Sequence, residues 1–220
     1  MGRFIVRDFV KAIIFDGTND DVTFSGYTPP STFSVAFWVM KQRVTGSNND
    51  RFVDCCAGGP TNGFTIIQGT GNAPLRFEIY AASQQAAIST DNLVTGKWYF
   101  IVATFTTNSA KIYQDAVLKA TDTSCSMGTV ATTLTLGRRA TGASNYCKAL
   151  MDEFMLFNKV LTQDEITALY VSGTVPSGLE IYLNFDDNVT DQSGNSNSSS
   201  ASGTPAYSTN VRFNSRTAVT

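Results

Sequence analysis

The residues able to do chemistry are few. Histidine is absent from the 220-residue chain, which removes Ser-His-Asp and Cys-His nucleophilic systems. The four glutamates, Glu78, Glu153, Glu165 and Glu180, are scattered. Asp152 and Glu153 are adjacent, and on a strand they point to opposite faces, so they cannot flank one bond as paired glycosidase carboxyls do. Four cysteines, Cys55, Cys56, Cys125 and Cys147, allow three pairings. Without histidine or close ligand spacing they do not read as a zinc site, and small buried thiols are the expectation. Asp186, Asp187, Asn188 and Asp191 are acid-dense but lack the glycine and glutamate positions of an EF-hand. Arg138, Arg139, Asn145 and Tyr146 form the best candidate for a polar–aromatic ligand patch, since sugar recognition needs an aromatic platform with polar neighbours. Trp38 and Trp98 sit in apolar runs and read as core residues. Tyr27, Tyr80, Tyr146 and Tyr207 fall nearer loops or wet faces.

These residues have to be positioned by strands. Phe33–Met40 is apolar on both faces and predicts a central strand. Leu75–Tyr80 alternates and predicts one wet face. Trp98–Phe105 predicts a buried strand that turns at Asn108-Ser109 into 110–114. Asp115-Ala116 is then a two-residue hairpin turn into 117–119. A type I′ turn needs positive φ at both central residues, so Ala116 should cost on the order of 1 kcal/mol or force another turn. Gly/Asn-rich stretches at 46–50, 58–63, 69–74 and 140–145 predict surface loops. Leu150–Phe157 predicts a buried strand carrying Asp152 and Glu153. The only helical pattern follows it. Thr162 is the N-cap, Glu165 closes a capping box, Leu161 and Ile166 form the hydrophobic staple, and Gly173 is the stop.

Composition fits one all-β domain of sandwich size. Apolar residues make up 42% of the chain and charged residues only 15%, below the usual ~25%, so the surface is rich in Ser, Thr, Asn and Gly. A net charge of −2 gives no electrostatic case for nucleic acid or anionic membrane, and no apolar run is long enough to span a bilayer. Residues 1–11 lack the apolar core of a secretory signal. They read as an N-terminal arm, with Arg3, Phe4, Arg7 and Phe9 as docking residues, ahead of a single domain at 12–220.

Four motifs in order resemble laminin-G-like, concanavalin A-like jelly-roll domains, a group that includes pentraxin-like sandwiches. Ile14-Phe15-Asp16-Gly17-Thr18-Asn19-Asp20-Asp21-Val22 resembles the F-D-G-x-N-D-x-V segment. Gly96-Lys97-Trp98-Tyr99 and Ile112-Tyr113-Gln114-Asp115 resemble the W-(H/Y) strand and Y-x-D-G hairpin. Leu134-Thr135-Leu136-Gly137-Arg138 resembles the L-x-(I/L)-G strand. Leu150–Tyr170 resembles the closing strand and helix. The resemblance implies an all-β antiparallel two-sheet jelly roll with one short helix near 163–171. Leu179–Asp186 and Asp191-Gln192-Ser193-Gly194-Asn195 resemble the opening of such a domain yet come last. Residues 179–213 are therefore expected to supply closing, permuted strands of this sandwich, with strands of a neighbour's sandwich or a truncated second repeat as the alternatives, and 195–203 a mobile loop.

The resemblance further implies a calcium ion at a sandwich edge, held by Asp16, Asn19, Asp20 and Asp152. The competing expectation is that these residues cap turns and bond backbone N–H groups. The E-x-D-x-x-E pattern of laminarinase-type enzymes is missing, so no catalysis is expected. The first functional expectation is a virion structural or accessory protein, a capsid decoration or fibre module of bacteriophage type. It would act at the virion surface by docking to capsid or fibre proteins or to copies of itself, with adhesion to cell-surface glycans. The second is an extracellular carbohydrate-binding lectin or adhesion module, and the third a glycoside hydrolase.

Overall fold

The computed structural model describes residues 11–43, 49–57, 61–71, 73–130 and 132–208; the arm residues Arg3, Phe4, Arg7 and Phe9 lie outside them. In chain order the strands are β1 (Ala12–Asp16), β2 (Asp21–Ser25), β3 (Phe33–Lys41), β4 (Asp50–Cys56), β5 (Gly63–Gln68), β6 (Leu75–Tyr80), β7 (Gln84–Ser89), β8 (Trp98–Thr106), β9 (Ser109–Gln114), β10 (Val117–Asp122), β11 (Thr133–Leu136) and β12 (Lys148–Phe157). The helix α1 (Gln163–Ser172) follows, then β13 (Leu179–Leu183), β14 (Ser200–Ser202) and β15 (Ala206–Ser208).

The strands form two antiparallel sheets. One runs β10-β9-β8-β3-β12-β1-β15, with β13 also on β12; the other runs β14-β2-β11-β4-β5-β6-β7. Alternation along each strand sends one set of side chains between the sheets. Phe33, Phe37, Phe64, Phe77, Phe105, Phe154 and their aliphatic neighbours fill that interior. As its double-sided apolar pattern requires, β3 is central, between β8 and β12. Its other face, Ala36 with Phe100, Val102, Met155 and Phe157, packs under Leu161, Ile166 and Leu169 of the helical segment.

The helix begins as its sequence dictates. Thr162 and Glu165 form a reciprocal capping box, and Gly173 ends the helix in the left-handed conformation. The hairpin at 115–116 is also built as a primed turn, with φ of 52° at Asp115 and 63° at Ala116. Ala116 thus accepts a conformation that glycine adopts more easily.

The tail joins the same sandwich. β12 pairs β3 along one side; on its other side β1 covers Lys148–Met151 and β13 covers Phe154–Phe157. The first strand of the described chain and the thirteenth therefore lie end to end along one neighbour. Between them the strand bulges at Asp152–Glu153, with Glu153 at a φ of 53° and accepting a 2.8 Å bond from the Tyr182 hydroxyl. A bulge, rather than simple alternation, sets the directions of these two acids.

The 195–203 stretch is not loose. Asp191 accepts from the backbone N–H groups of Tyr182, Ser193 and Asn197 at 2.9–3.0 Å, and the side-chain amides of Asn195 and Asn197 donate to the Glu180 carbonyl. The D-x-S-G-N motif is thus a hydrogen-bonded knot that carries the chain from one sheet to the other.

Candidate functional site

One end of the sandwich gathers most of the residues singled out from sequence. β1 ends at Asp16 where β2 begins at Asp21, β3 ends where β4 begins, and β11 ends where β12 begins. The 16–20 turn and the 137–147 loop are therefore neighbours. Arg138 ties them together: its Nε donates to Asp21 at 2.7 Å, and its guanidinium also reaches the Arg139 carbonyl. Asn145 offers its carbonyl to the Arg51 N–H at 3.1 Å. Tyr146 is half-buried and offers its carbonyl to Arg43, which also donates to buried Asp50 at 2.6 Å. The proposed ligand patch thus exists as one loop, but its polar groups largely hold that loop in place.

The calcium residues do not come together as a set. Asp16 Oδ1 accepts from the N–H groups of Thr18 and Asn19 at 2.7 and 3.2 Å. Asp20 accepts from the N–H of Asp16 and from that of Thr204, both at 3.1 Å. Asp152 stands four residues along β12 from Lys148, the partner of Asp16, a separation of about 13 Å. At Asp16 and Asp20 backbone donors occupy lone pairs that a hard cation would need, and among the described residues no three carboxylate or thiol groups converge as metal ligands. These four residues do not fit calcium as one site.

The outer face of the seven-stranded sheet holds residues that the sequence reading passed over. Ser200, Thr23, Thr135, Asp54, Thr65 and Glu78 are successive cross-strand partners, so they form one transverse polar rung across six strands. Arg51 pairs with Asp54, Arg76 with Glu78 at 2.8 Å, and the Tyr80 hydroxyl donates to Glu78. The rung is closed over from β11 to β6, where Asp54, Thr65 and Thr135 have no exposure and Glu78, with neighbouring Tyr80, is buried, while Ser200 at its β14 end is exposed. The expected wet face of Leu75–Tyr80 is therefore wet only at Arg76.

Ala140 N–H donates to Asp54, showing that the 137–147 loop folds back over this face. Burial raises the Asp54 carboxyl, against the lowering effect of Arg51 and backbone N–H groups. The Tyr80 hydroxyl is likewise pushed up by burial and by Glu78. The alternation D-R-F-V-D and R-F-E-I-Y was the available signal; the roof over it was not.

Lys41 is the outlier. The residue is 1% exposed, its Nζ has no hydrogen-bond partner among the described residues, and burial lowers its pKa, with Asp50 opposing. Of the aromatic candidates, Trp38 stacks with Tyr170 at 5.5 Å and packs on Phe100. It lies under the helix on the outer face rather than between the sheets; Trp98 edges a separate outer cluster with Met40 and Leu150. Tyr27 and Tyr207 pack against the core. All four cysteines are buried free thiols, and burial pushes Cys55 up to about 12.

The model of the laminin-G-like group of the concanavalin A-like lectin/glucanases superfamily matches residues 16–167. The chain belongs to this superfamily. The unmatched tail is the part that carries the permuted opening motif. No curated protein matches the sequence significantly.

Among solved structures, a heptameric SAP-like pentraxin from Limulus polyphemus is similar with a TM-score of 0.67 at 14% identity, over 92% of this chain and 96% of that one. A provisionally assigned carbohydrate-binding protein from Bacteroides ovatus gives 0.66 at 16%, over 91% of this chain and 60% of its own length. Domain 4 of an extracellular arabinanase from Geobacillus stearothermophilus, solved with arabinotriose, gives 0.60 at 20%, over 77% and 81%. These likenesses are ones of fold.

Proposed function

We propose that this superfamily member is a non-catalytic glycan-binding module. The observation that carries the non-catalytic part is the pairing of the acids. Asp21, Asp50, Asp54 and Glu78 are each held by an arginine, and Asp191 is enclosed by N–H donors. A glycosidase needs one carboxyl free to give a proton and another free to attack or to activate water. The neutral, hydroxyl-rich surface and the fold shared with carbohydrate-binding proteins support the ligand class. A glycan array read with and without EDTA tests it: binding that survives chelation is expected, and absence of binding to every class of glycan overturns it.

A second reading, display on a virion surface, starts from the pairing of β1 with β15. Ala12 pairs with Ser208, so the start of β1 and the end of β15 lie side by side at one sheet edge. In this reading Arg3, Phe4, Arg7 and Phe9 dock that edge to capsid or fibre proteins or to a second copy. Removing residues 1–10 should leave a folded monomer that no longer assembles, measured by light scattering after size exclusion; assembly retained without them excludes the arm.

A further inference from the structure

We propose that the end of the sandwich opposite the arginine–aspartate pairs carries a pocket for one or two uncharged sugar rings. This deepens the glycan-binding reading and rests on it. A cavity of about 390 Å³ opens there between the β2–β3 connection, the β8–β9 turn and the β10–β11 connection. That volume lies at the lower end of the ~300–1,000 Å³ typical of small-molecule sites, which sets the size of the ligand.

Pro29, Phe105 and Met127 supply apolar surface, while Ser31, Thr107 and Thr129 supply hydroxyls. This division matches a sugar ring, which offers a C–H face to apolar groups and an edge of hydroxyls. Serine and threonine can both donate to such an edge and accept from it. The lining contains no charged side chain, so a uronic or sialic acid would lose hydration at its carboxylate with no cation to replace it.

The pocket is also built to hold its shape. Phe105, at its floor, is 2% exposed and lies 5.6 Å from Phe33 within the aromatic core. The Thr32 and Thr106 hydroxyls join the β2–β3 connection to β8 at 3.1 Å. On the other wall the Gly128 N–H donates to the Tyr80 carbonyl at 3.0 Å. A side chain at Gly128 would lie 2.2 Å from Asn62 Oδ1 and 3.1 Å from the Ala81 backbone, so this wall closes only with glycine. A preorganised wall lowers the entropy lost on binding.

The test is saturation-transfer NMR and calorimetry on the full chain with arabinose, galactose, N-acetylglucosamine, their disaccharides and glucuronic acid. Neutral sugars should bind and glucuronic acid should not. Ser126→Trp, at an exposed position of the rim, should fill the cavity and weaken binding at least tenfold without changing the melting temperature. Thr129→Trp repeats the test should the first variant fold poorly. If neutral sugars bind equally well to both variants, or if Tyr146→Ala abolishes binding instead, the pocket is excluded while the glycan-binding reading stands. If no sugar or array glycan binds the unmodified chain, that reading fails and the pocket falls with it. Tighter binding of glucuronic acid than of neutral sugars would overturn the assignment of ligand class.

Discussion

At one end of the sandwich Arg43, Arg51 and Arg138 are each matched to a buried aspartate, and the loop that carries the most conspicuous polar residues is fastened down by them. At the other end a cavity of about 390 Å³ is lined by uncharged residues alone. In sequence the first region looks like the chemistry and the second like ordinary loop. In the structure three of the arginines are occupied with aspartates, and the cavity at the other end lies among a proline, threonines and serines. Charge in a small β-sandwich of this kind marks where loops are anchored; its absence beside a rigid cavity marks where something neutral can bind.

The contrast breaks most sharply at Arg51. Arg51→Ala leaves Asp54 buried without its cation and should cost about 3–5 kcal/mol, read as a lower urea midpoint. A smaller loss would mean that the 137–147 loop opens and rehydrates the site. Asp191→Asn, on the knot that joins the sheets, should cost about 2 kcal/mol through lost charge-assisted hydrogen bonds. It also has a pH signature. Burial works to raise the Asp191 carboxyl, but the bonds from Tyr182, Ser193 and Asn197 outweigh it and hold the folded value below the ordinary 3.8. Its stabilisation is therefore present above 3.8 and lost as pH falls through the folded value, so the variant should show a flatter acid limb in a pH–stability profile.

At Lys41 the expected sign reverses. Lys41→Met removes a buried cation whose Nζ lacks a hydrogen bond among the described residues and should gain about 1–2 kcal/mol at neutral pH; a loss would show that attraction to Asp50 outweighs the desolvation. Because burial lowers the folded Lys41 value, the unmodified chain should gain stability as pH rises toward 10.5, and the variant should lack that rise. The smallest effect is at the hairpin, where Ala116→Gly relieves a positive φ and should raise stability by about 1 kcal/mol, seen as a higher melting temperature.

Much of the architecture was legible in the chain. The capping box at Thr162–Glu165, the central apolar strand at Phe33–Met40 and the four motifs in order each reflect local chemistry that tertiary packing did not have to override. The misreadings arose where non-local structure decides exposure. Glu78 and Tyr80 alternate like residues on a wet face, yet Glu78 is held by Arg76 and the Tyr80 hydroxyl, and both are buried. Asp152 was grouped with Asp16 because the motifs share a family edge, but the β1–β12 register holds them apart. Asp152 and Glu153 looked like simple alternation because no local signal announces a bulge placed where one pairing strand gives way to another. Arg51 and Asp54 were missed because their importance comes from the roof above them.

The end-to-end placement of β1 and β13 along β12 has a consequence for how the chain comes to be folded. During synthesis β1, β3 and β12 can pair as soon as residue 157 emerges, but the Phe154–Phe157 side of β12 has no partner until β13 is made. Until then the sheet carries an apolar, unpaired edge, the kind of edge that recruits a strand from another molecule. The helix that follows β12 at once reaches only its face. Residues 179–183 thus close this edge, and truncations that remove them should be limited by solubility before they are limited by binding.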